Sequence, residues 1–222
     1  MRNTNSLKQK VYDAVVKDIA RGTYAPGYIM TESKLSEKYQ VSKAPVREAL
    51  IELGKDNYVT NLPRIGYQVV PCTLKEIADI LDFRSDMELC NLHRAFQLLS
   101  ENKLAKFSKE WEQYQKQTPH TDDLAINWMR NQKFHLLVCS LSGNAYAYQE
   151  LERLLRQNAR FFAQYYLYAW NNNTESKGKY HDAIIEAIMD RNEEKTCSLL
   201  REDINSVKDQ ITHLLNQGHT PR

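Results

Sequence analysis

The chain has 222 residues, of which 42% are hydrophobic and 26% are charged, and its formal net charge is +2. No apolar run approaches the roughly 20 residues that span a membrane, and no signal peptide is present, so we expect a cytoplasmic protein that does not enter a membrane. The four cysteines are widely spaced and form no C-x-x-C pair, which argues against a zinc ribbon or a disulfide framework.

The first predicted element is an amphipathic helix that ends at Gly22, just before Pro26 and Gly27. Apolar residues recur every four positions and therefore share one helix face. They are Leu7, Val11, Val15 and Ile19.

Two short helices joined by a turn are predicted between residues 32 and 54. Leu35 and Tyr39 recur at helical spacing after Thr31, a suitable N-cap residue. Ser42 can cap the second helix, which begins with Ser42, Lys43 and Arg47 facing outwards. Free N–H groups and cations at such a helix start suit phosphate oxygens, and first-turn side chains can reach base edges in the major groove. The alternative is a helical hairpin with a solvated charged face.

A β-hairpin is predicted next. The runs at 58–60 and 67–70 are β-prone, and the turn-rich segment 61–66 between them carries Arg64. Three helices and a hairpin make a winged helix-turn-helix. Arg64 at the hairpin tip can enter a minor groove, although a merely solvated arginine fits the sequence as well.

From residue 73 onwards the sequence has helical stripes separated by helix breakers and no strand-like alternation. The predicted helices cover about 73–100, 101–117, 124–141, 145–170, 175–190 and 193–215. We therefore predict a mainly α protein in which a winged helix-turn-helix domain (1–72) is followed by an all-α six-helix bundle (73–222). Residues 1–72 hold 11 Lys and Arg against 7 Asp and Glu, a net charge of +4, and the remainder holds 19 against 21, a net −2. The cationic surplus lies on the predicted DNA-reading domain, as backbone contact requires.

Residues 7–70 resemble the DNA-binding domain of the GntR family of bacterial transcription regulators, through the run VSKAPVREAL at 41–50. The resemblance implies operator contacts by Lys43 and Arg47. Many family members have arginine where this chain has Ser33 and Lys43. Lysine lacks the planar fork that reads guanine bidentately, so we expect a different or less guanine-dependent operator.

The resemblance also implies that Gly66 is the wing glycine and that Arg64 lies where wing residues approach DNA. The candidate DNA-contacting residues are Ser42, Lys43, Ala44, Arg47, Arg64 and Gly66.

Residues 74–215 resemble the FCD domain, the ligand-sensing domain of the FadR-type branch of that family. The matching segments are FRSDMEL at 83–89, NQKFHLLVCSLSGN at 131–144 and YHDAIIEAIMDRNEE at 180–194. Six predicted helices, not seven, point to the shorter VanR-like version. The resemblance implies a domain that senses small organic acids or related metabolites and forms homodimers.

Four residues of this domain are candidate metal ligands. Asn131 and His135 share one helix face, and His181 and Asp203 lie on two later helices of a bundle that can point them into one cavity. Family members often hold a divalent metal with aspartate and three histidines at these positions. The donors present here suit Zn, Ni or Mn. The alternative is a metal-free polar pocket in which the two imidazoles form hydrogen bonds.

Two arginines are candidate effector contacts. Arg84 matches a family motif in the first helix of the sensing domain and can bind a carboxylate, and Arg160 is the second candidate. The competing explanation for Arg84 is an ion pair with Glu88, one helical turn along the chain.

These features predict a transcriptional regulator, most simply a repressor, that binds a palindromic double-stranded operator as a homodimer and responds to a small organic acid. The competing class is a helical-bundle metalloenzyme with a DNA-binding appendage. The sequence lacks the Glu-x-x-His pair, the His-Glu-x-x-His motif and the Gly-rich phosphate loop that such enzymes use, so we predict no enzymatic activity. An RNA-binding adaptor would need an aromatic stacking platform on a sheet, which is also missing from the sequence pattern.

Overall fold

The computed structural model describes residues 4–119, 121, 124–161 and 179–216. The chain divides into two compact units, the first built mainly from Met1–Thr73 and the second mainly from Leu74–Leu155 and the helices after residue 178. Within the described residues, no helix is both long enough and apolar enough to cross a lipid bilayer.

The first unit is a winged helix-turn-helix, as predicted. Its elements in chain order are α1 (Thr4–Ala20), β1 (Ile29–Met30), α2 (Glu32–Tyr39), α3 (Lys43–Lys55), β2 (Val59–Leu62) and β3 (Gly66–Val69). The three strands form an antiparallel sheet in the order β1-β3-β2, in which Gln68 of β3 lies opposite both Ile29 and Thr60. Strand β1 was not predicted, because two residues carry no periodic signal.

The core of the first unit lies between α1 and α3. The predicted stripe on α1 is confirmed at Val11, Val15 and Ile19, which are buried. It packs against buried residues of α3, including Leu50 and Leu53. Full burial of one such aliphatic side chain contributes about 1.5–3 kcal/mol, so this contact fixes α3 firmly on the domain.

The two helices of the helix-turn-helix begin differently. Thr31 caps α2 as predicted, since its Oγ1 accepts a hydrogen bond of 3.4 Å from the backbone N–H of Lys34. Ser42 is the N-cap residue of α3 as predicted, but its side chain makes no capping hydrogen bond to the helix. A capping oxygen bonds the second or third N–H of a helix, and the third residue of α3 is Pro45, which has no N–H. The hydroxyl of Ser42 therefore stays exposed at the helix start.

The second unit is helical. Its described helices are α4 (Leu74–Phe96), α5 (Glu101–Gln117), α6 (Leu124–Ser140), α7 (Ala145–Phe161), α8 (Lys179–Met189) and α9 (Glu193–Asn216), and of α7 only the part up to Leu155 belongs to this unit. Helix α4 ends at Phe96, about four residues earlier than predicted. Residues 162–178 lie outside the described part, so the predicted extension of α7 to about residue 170, the six-helix total and the VanR-like subgroup stay predictions.

Helix α9 makes the most extensive helix contacts in this unit, along both α4 and α8, and α6 contacts α4 and α5. Apolar residues form most of the core, among them Trp111, Phe134, Ile188, Leu200 and Ile204. Several charged and polar side chains from α4, α6 and α8 are buried with them, which distinguishes this core from an ordinary apolar one.

Candidate functional site

The first candidate surface is the amino end of α3. Ser42, Lys43, Ala44 and Arg47 are all exposed and lie at the N-cap or within the first turn and a half of this helix. The first N–H groups of a helix have no partner within it, so this end combines backbone donors with two cations. That arrangement is the one a recognition helix presents to the major groove.

Arg47 is held in place by Glu32, the first residue of α2. Its Nε donates to Oε1 and its Nη2 to Oε2, both at 2.8 Å, while 60% of the Arg47 side chain remains exposed. The hydrogen bonds from Arg47 hold the pKa of Glu32 below its ordinary value. Glu32 was not identified from the sequence, because a pair 15 residues apart has no local signature. The pair uses two of the five guanidinium N–H donors and leaves the others for a ligand.

The wing carries the other two candidates. Arg64 lies in the turn between β2 and β3, is exposed and has a left-handed backbone with φ of 66°. Gly66 has φ of 148°, and a Cβ atom there would lie 2.5 Å from the carbonyl oxygen of Met30. Glycine is therefore required where β3 passes β1, which gives Gly66 a role in the shape of the wing. Contact of either residue with DNA stays a prediction.

The second candidate site is a buried polar cluster in the helical unit, formed by residues of α4, α6, α8 and α9. His135 Nε2 lies 3.1 Å from Asp203 Oδ2, and His181 Nε2 lies 3.8 Å from Asp203 Oδ1. His181 Nε2 is also 3.1 Å from Asn131 Oδ1, a hydrogen-bond distance. The fold thus brings all four candidate metal ligands together.

The cluster continues through Glu88 and Arg84 of α4. His135 Nδ1 lies 2.8 Å from Glu88 Oε2, and Arg84 Nε donates to Glu88 Oε1 at 2.5 Å. The Arg84–Glu88 ion pair considered above is therefore present, and both side chains are only 2% exposed. The contact between Glu88 and His135 was not predicted, because it joins residues 47 positions apart. It directs Nε2 of His135 towards Asp203.

The pKa values of the two histidines are shifted in opposite directions. Burial and Arg84 disfavour a charged His135, but Glu88 and Asp203 outweigh them and raise its pKa above the ordinary value. Burial lowers the pKa of His181 to about 4. Burial favours a neutral Asp203, but its hydrogen bond with His135 and the charges of both histidines outweigh that and lower the pKa of Asp203. At neutral pH Asp203 is thus a carboxylate, and His181 is already in the neutral form that a metal requires.

The donor set fits a divalent metal. The ligand atoms of His135, His181 and Asp203 all lie within 4.8 Å of one another. Two atoms bound to one ion at about 2.1 Å lie roughly 3.0–3.4 Å apart, so the 3.1 Å and 3.8 Å separations need little adjustment. His135 Nε2 is buried and lies against Asp203 Oδ2, so an ion held by this carboxylate would also be in reach of the nitrogen. A carboxylate behind a ligating imidazole is also the usual partner in metal sites, and Glu88 occupies that position.

Further buried donors without partners lie near the cluster. Among the described residues they include Arg84 Nη2, Trp111 Nε1 and both Nε and Nη1 of Arg130. The sequence analysis did not single out Arg130 or Trp111. Arg130 lies at helical spacing from Asn127 and Phe134 on the buried face of α6, which is the signal that identifies it. The other effector candidate, Arg160, is on α7, but its side chain lies outside the described part of the structure.

Comparison with known families gives two matches. A model of the gntR family of bacterial regulatory proteins matches residues 7–69, and a model of the FCD domain matches residues 79–206. The second match alone covers more than half of the chain.

Individual relatives extend over most of the chain. The uncharacterized HTH-type transcriptional regulator YdhC of Bacillus subtilis (strain 168) is 26% identical over 208 residues, which cover 93% of this chain and 92% of the relative. The HTH-type transcriptional repressor GlaR of Escherichia coli (strain K12) is 26% identical over 211 residues, covering 87% and 90%. The solved structure of McbR/YncC from E. coli has a TM-score of 0.73 and 22% identity, covers 96% of this chain and 99% of its own, and shows the same fold.

Proposed function

Since the chain belongs to the GntR family of bacterial regulatory proteins and carries an FCD domain, we propose that it is a repressor whose operator binding is controlled by a small organic acid. Membership of this family makes it a transcriptional regulator and not an enzyme. The similarity to GlaR, which is named a repressor, supports repression and not activation of transcription. The observation that supports the binding of an acid by the helical unit is the buried polar cluster.

We assign DNA reading to residues 1–72. In this proposal Lys43 and the exposed N–H groups of α3 bind phosphates, Arg47 reads a base edge from its anchorage on Glu32, and Arg64 approaches the minor groove from the wing. One such unit reads only a few base pairs, so two copies related by two-fold symmetry would bind a palindrome. Residues 73–222 would form the homodimer and bind the effector. In this proposal the protein acts on chromosomal DNA, and therefore in the cytoplasm.

The DNA-binding assignment is tested by fluorescence anisotropy on an operator selected from genomic fragments. Arg47→Ala should abolish specific binding, and Lys43→Ala should lower the slope of log affinity against log salt by about one. Lys55→Ala, which removes an exposed cation at the opposite end of α3, is the matched control and should change little. If Lys55→Ala weakens binding as much as Arg47→Ala, α3 does not read the operator.

The dimer is tested by light scattering with and without an inverted-repeat duplex. We expect a mass of two chains for the free protein and two chains per duplex for the complex. A single chain in both states would contradict the proposal.

In the sensing unit, Asn131, His135, His181 and Asp203 would hold a divalent metal such as Zn, Ni or Mn. The bound metal would supply open coordination positions for a carboxylate. The chain itself contributes orientation, because Glu88 holds the ring of His135 by Nδ1 and Arg84 holds Glu88. The cluster is buried, so an acid bound there would be shielded from water.

Metal binding is tested by elemental analysis after dialysis against Zn, Ni or Mn. We expect about one ion per chain for the wild type and much less for His181→Ala. His93→Ala is the control, since His93 is 64% exposed and pairs with Glu193 on the surface. The hydrogen bonds of the cluster can also hold both imidazoles without a metal. A wild type free of metal would overturn the metal assignment and leave a metal-free sensor of the same fold.

A further inference from the structure

Arg130 has no counter-ion in the part of the chain that the structure describes. Its side chain lies on α6 and the residue is 4% exposed, and its Nε and Nη1 have no hydrogen-bond partner among the described residues. Arg84 offers a direct contrast, because an equally buried guanidinium there is paired with Glu88. Asp182 acts on Arg130 only at longer range and is itself exposed.

Arg130 flanks the polar cluster. It precedes Asn131, whose Oδ1 lies 3.1 Å from His181 Nε2. Arg130 also lies one helical turn before Phe134, whose ring stacks on the His181 imidazole with centroids 3.8 Å apart, so the two α6 residues share the face that is packed towards His181. Trp111 approaches the imidazole edge-on, with centroids 6.3 Å apart, and its Nε1 is also buried without a partner among the described residues.

A buried cation without a partner opposes folding, because it loses hydration and gains no compensating charge. The unpartnered atoms of Arg130 and Trp111 are all hydrogen-bond donors, as is Nη2 of Arg84. A ligand that completes the site must therefore be rich in acceptors, and an anion meets that requirement.

The number of binding positions indicates the class of ligand. The proposed metal centre offers one position for a carboxylate, and the donors of Arg130 and Trp111 offer a second, separate one. A ligand that uses both positions must carry two anionic groups.

We propose that Arg130 binds the second anionic group of the effector, and that the effector is accordingly a small dicarboxylate. One carboxylate lies at the centre formed by His135, His181 and Asp203, and the other receives hydrogen bonds from Arg130 and from Nε1 of Trp111. This inference rests on the proposed sensing function and adds the class of ligand. It assigns to Arg130 the contact that the sequence suggested for Arg84, whose guanidinium is already held by Glu88.

The test is isothermal titration calorimetry on the full chain carrying the metal it retains. The ligands are succinate, glutarate and adipate, each compared with the monocarboxylate of equal length, namely butanoate, pentanoate and hexanoate. We expect at least one dicarboxylate to bind more than about tenfold tighter than its partner, the ratio that a lost charged hydrogen bond gives. Arg130→Met should bind the monocarboxylate as the wild type does and should no longer bind the dicarboxylate more tightly. Arg153→Met is the control, because it changes an arginine on α7 that is 47% exposed, and it should retain the preference for the dicarboxylate.

Thermal unfolding without ligand separates a binding role from a structural one. Removing an unpartnered buried cation should leave the melting temperature of Arg130→Met equal to or above that of the wild type. If Arg130→Met does not fold, Arg130→Lys replaces it and should show a reduced preference, since lysine keeps the charge and loses the fork.

The outcomes are distinct. A preference that survives in the Arg130 variant overturns the role of this residue, and a wild type that binds both acids of each pair equally overturns the dicarboxylate class. Loss of all acid binding together with an unresponsive operator complex would instead mean that the proposed sensing function has failed.

Discussion

Glu88 is the residue whose removal should destabilise the helical unit most clearly. Its carboxylate contacts Arg84 at 2.5 Å and His135 at 2.8 Å, and the Arg84 and Glu88 side chains are 2% exposed, so solvent screens the pair little. Glu88→Gln keeps the shape and removes the charge, which leaves a buried guanidinium without a counter-ion. Removing one partner of a buried ion pair costs about 3–5 kcal/mol, and we expect a loss in this range in the free energy of unfolding.

A matched control lies on the same helix. Lys75 and Asp79 form an ion pair with the same i,i+4 spacing and the same 2.5 Å distance, but their side chains are 83% and 62% exposed. Asp79→Asn should therefore cost at most about 0.5 kcal/mol. The comparison separates the effect of burial from that of the contact itself.

Urea denaturation followed by far-UV circular dichroism measures both losses. The double variant Arg84→Met/Glu88→Gln should recover most of the stability lost by Glu88→Gln, because it removes the uncompensated charge. The reasoning is refuted if Glu88→Gln loses less than about 1 kcal/mol, or no more than Asp79→Asn does.

Two further predictions concern the DNA-reading unit. Gly66→Ala should lower the free energy of unfolding by about 1–3 kcal/mol, since φ of 148° is strained for alanine and its Cβ would meet the carbonyl oxygen of Met30. Gly54→Ala is its control in the same urea assay and should raise the free energy of unfolding by about 0.5–1 kcal/mol, because Gly54 is helical and its Cβ would lie at an ordinary 3.7 Å from the carbonyl oxygen of Val59. Equal losses from both variants would contradict this account. Glu32→Gln should lower the ratio of affinities for operator and scrambled duplex at one salt concentration, because Arg47 loses its anchor, and an unchanged ratio would show that the pair does not position Arg47.

The helices of the first unit were predictable because local signals define them. The four-residue stripe on α1 and the Thr31 cap of α2 both depend on neighbours a turn or less away in sequence. Strand β1 escaped prediction because its two residues are extended only through pairing with β3. Ser42 occupies the expected N-cap position without its capping hydrogen bond, and Pro45 three positions later removes one of the two N–H groups that could donate it.

The candidate sites show the same limit. Helical spacing places Asn131 and His135 on one face, but it cannot bring His181 and Asp203 to them from two later helices; the family resemblance supplied that grouping. The contacts of Glu88 with His135 and of Glu32 with Arg47 depend on packing between helices, so the helical periodicity of the sequence does not predict them. Arg130 is the clearest example, because the lack of a counter-ion among the described residues can be recognised only from the structure around it.

The central claim is that an acid bound at the polar cluster controls operator affinity. It is tested most directly by the operator dissociation constant, measured with and without the tightest-binding acid of the calorimetric series, for the wild type and for His135→Ala/His181→Ala. We predict a change of about 5- to 150-fold for the wild type, which corresponds to a coupling of roughly 1–3 kcal/mol between the two sites. The double variant should bind the operator nearly as the free wild type does and should not respond to the acid. A double variant that responds as the wild type does would contradict the account and place the sensing site elsewhere.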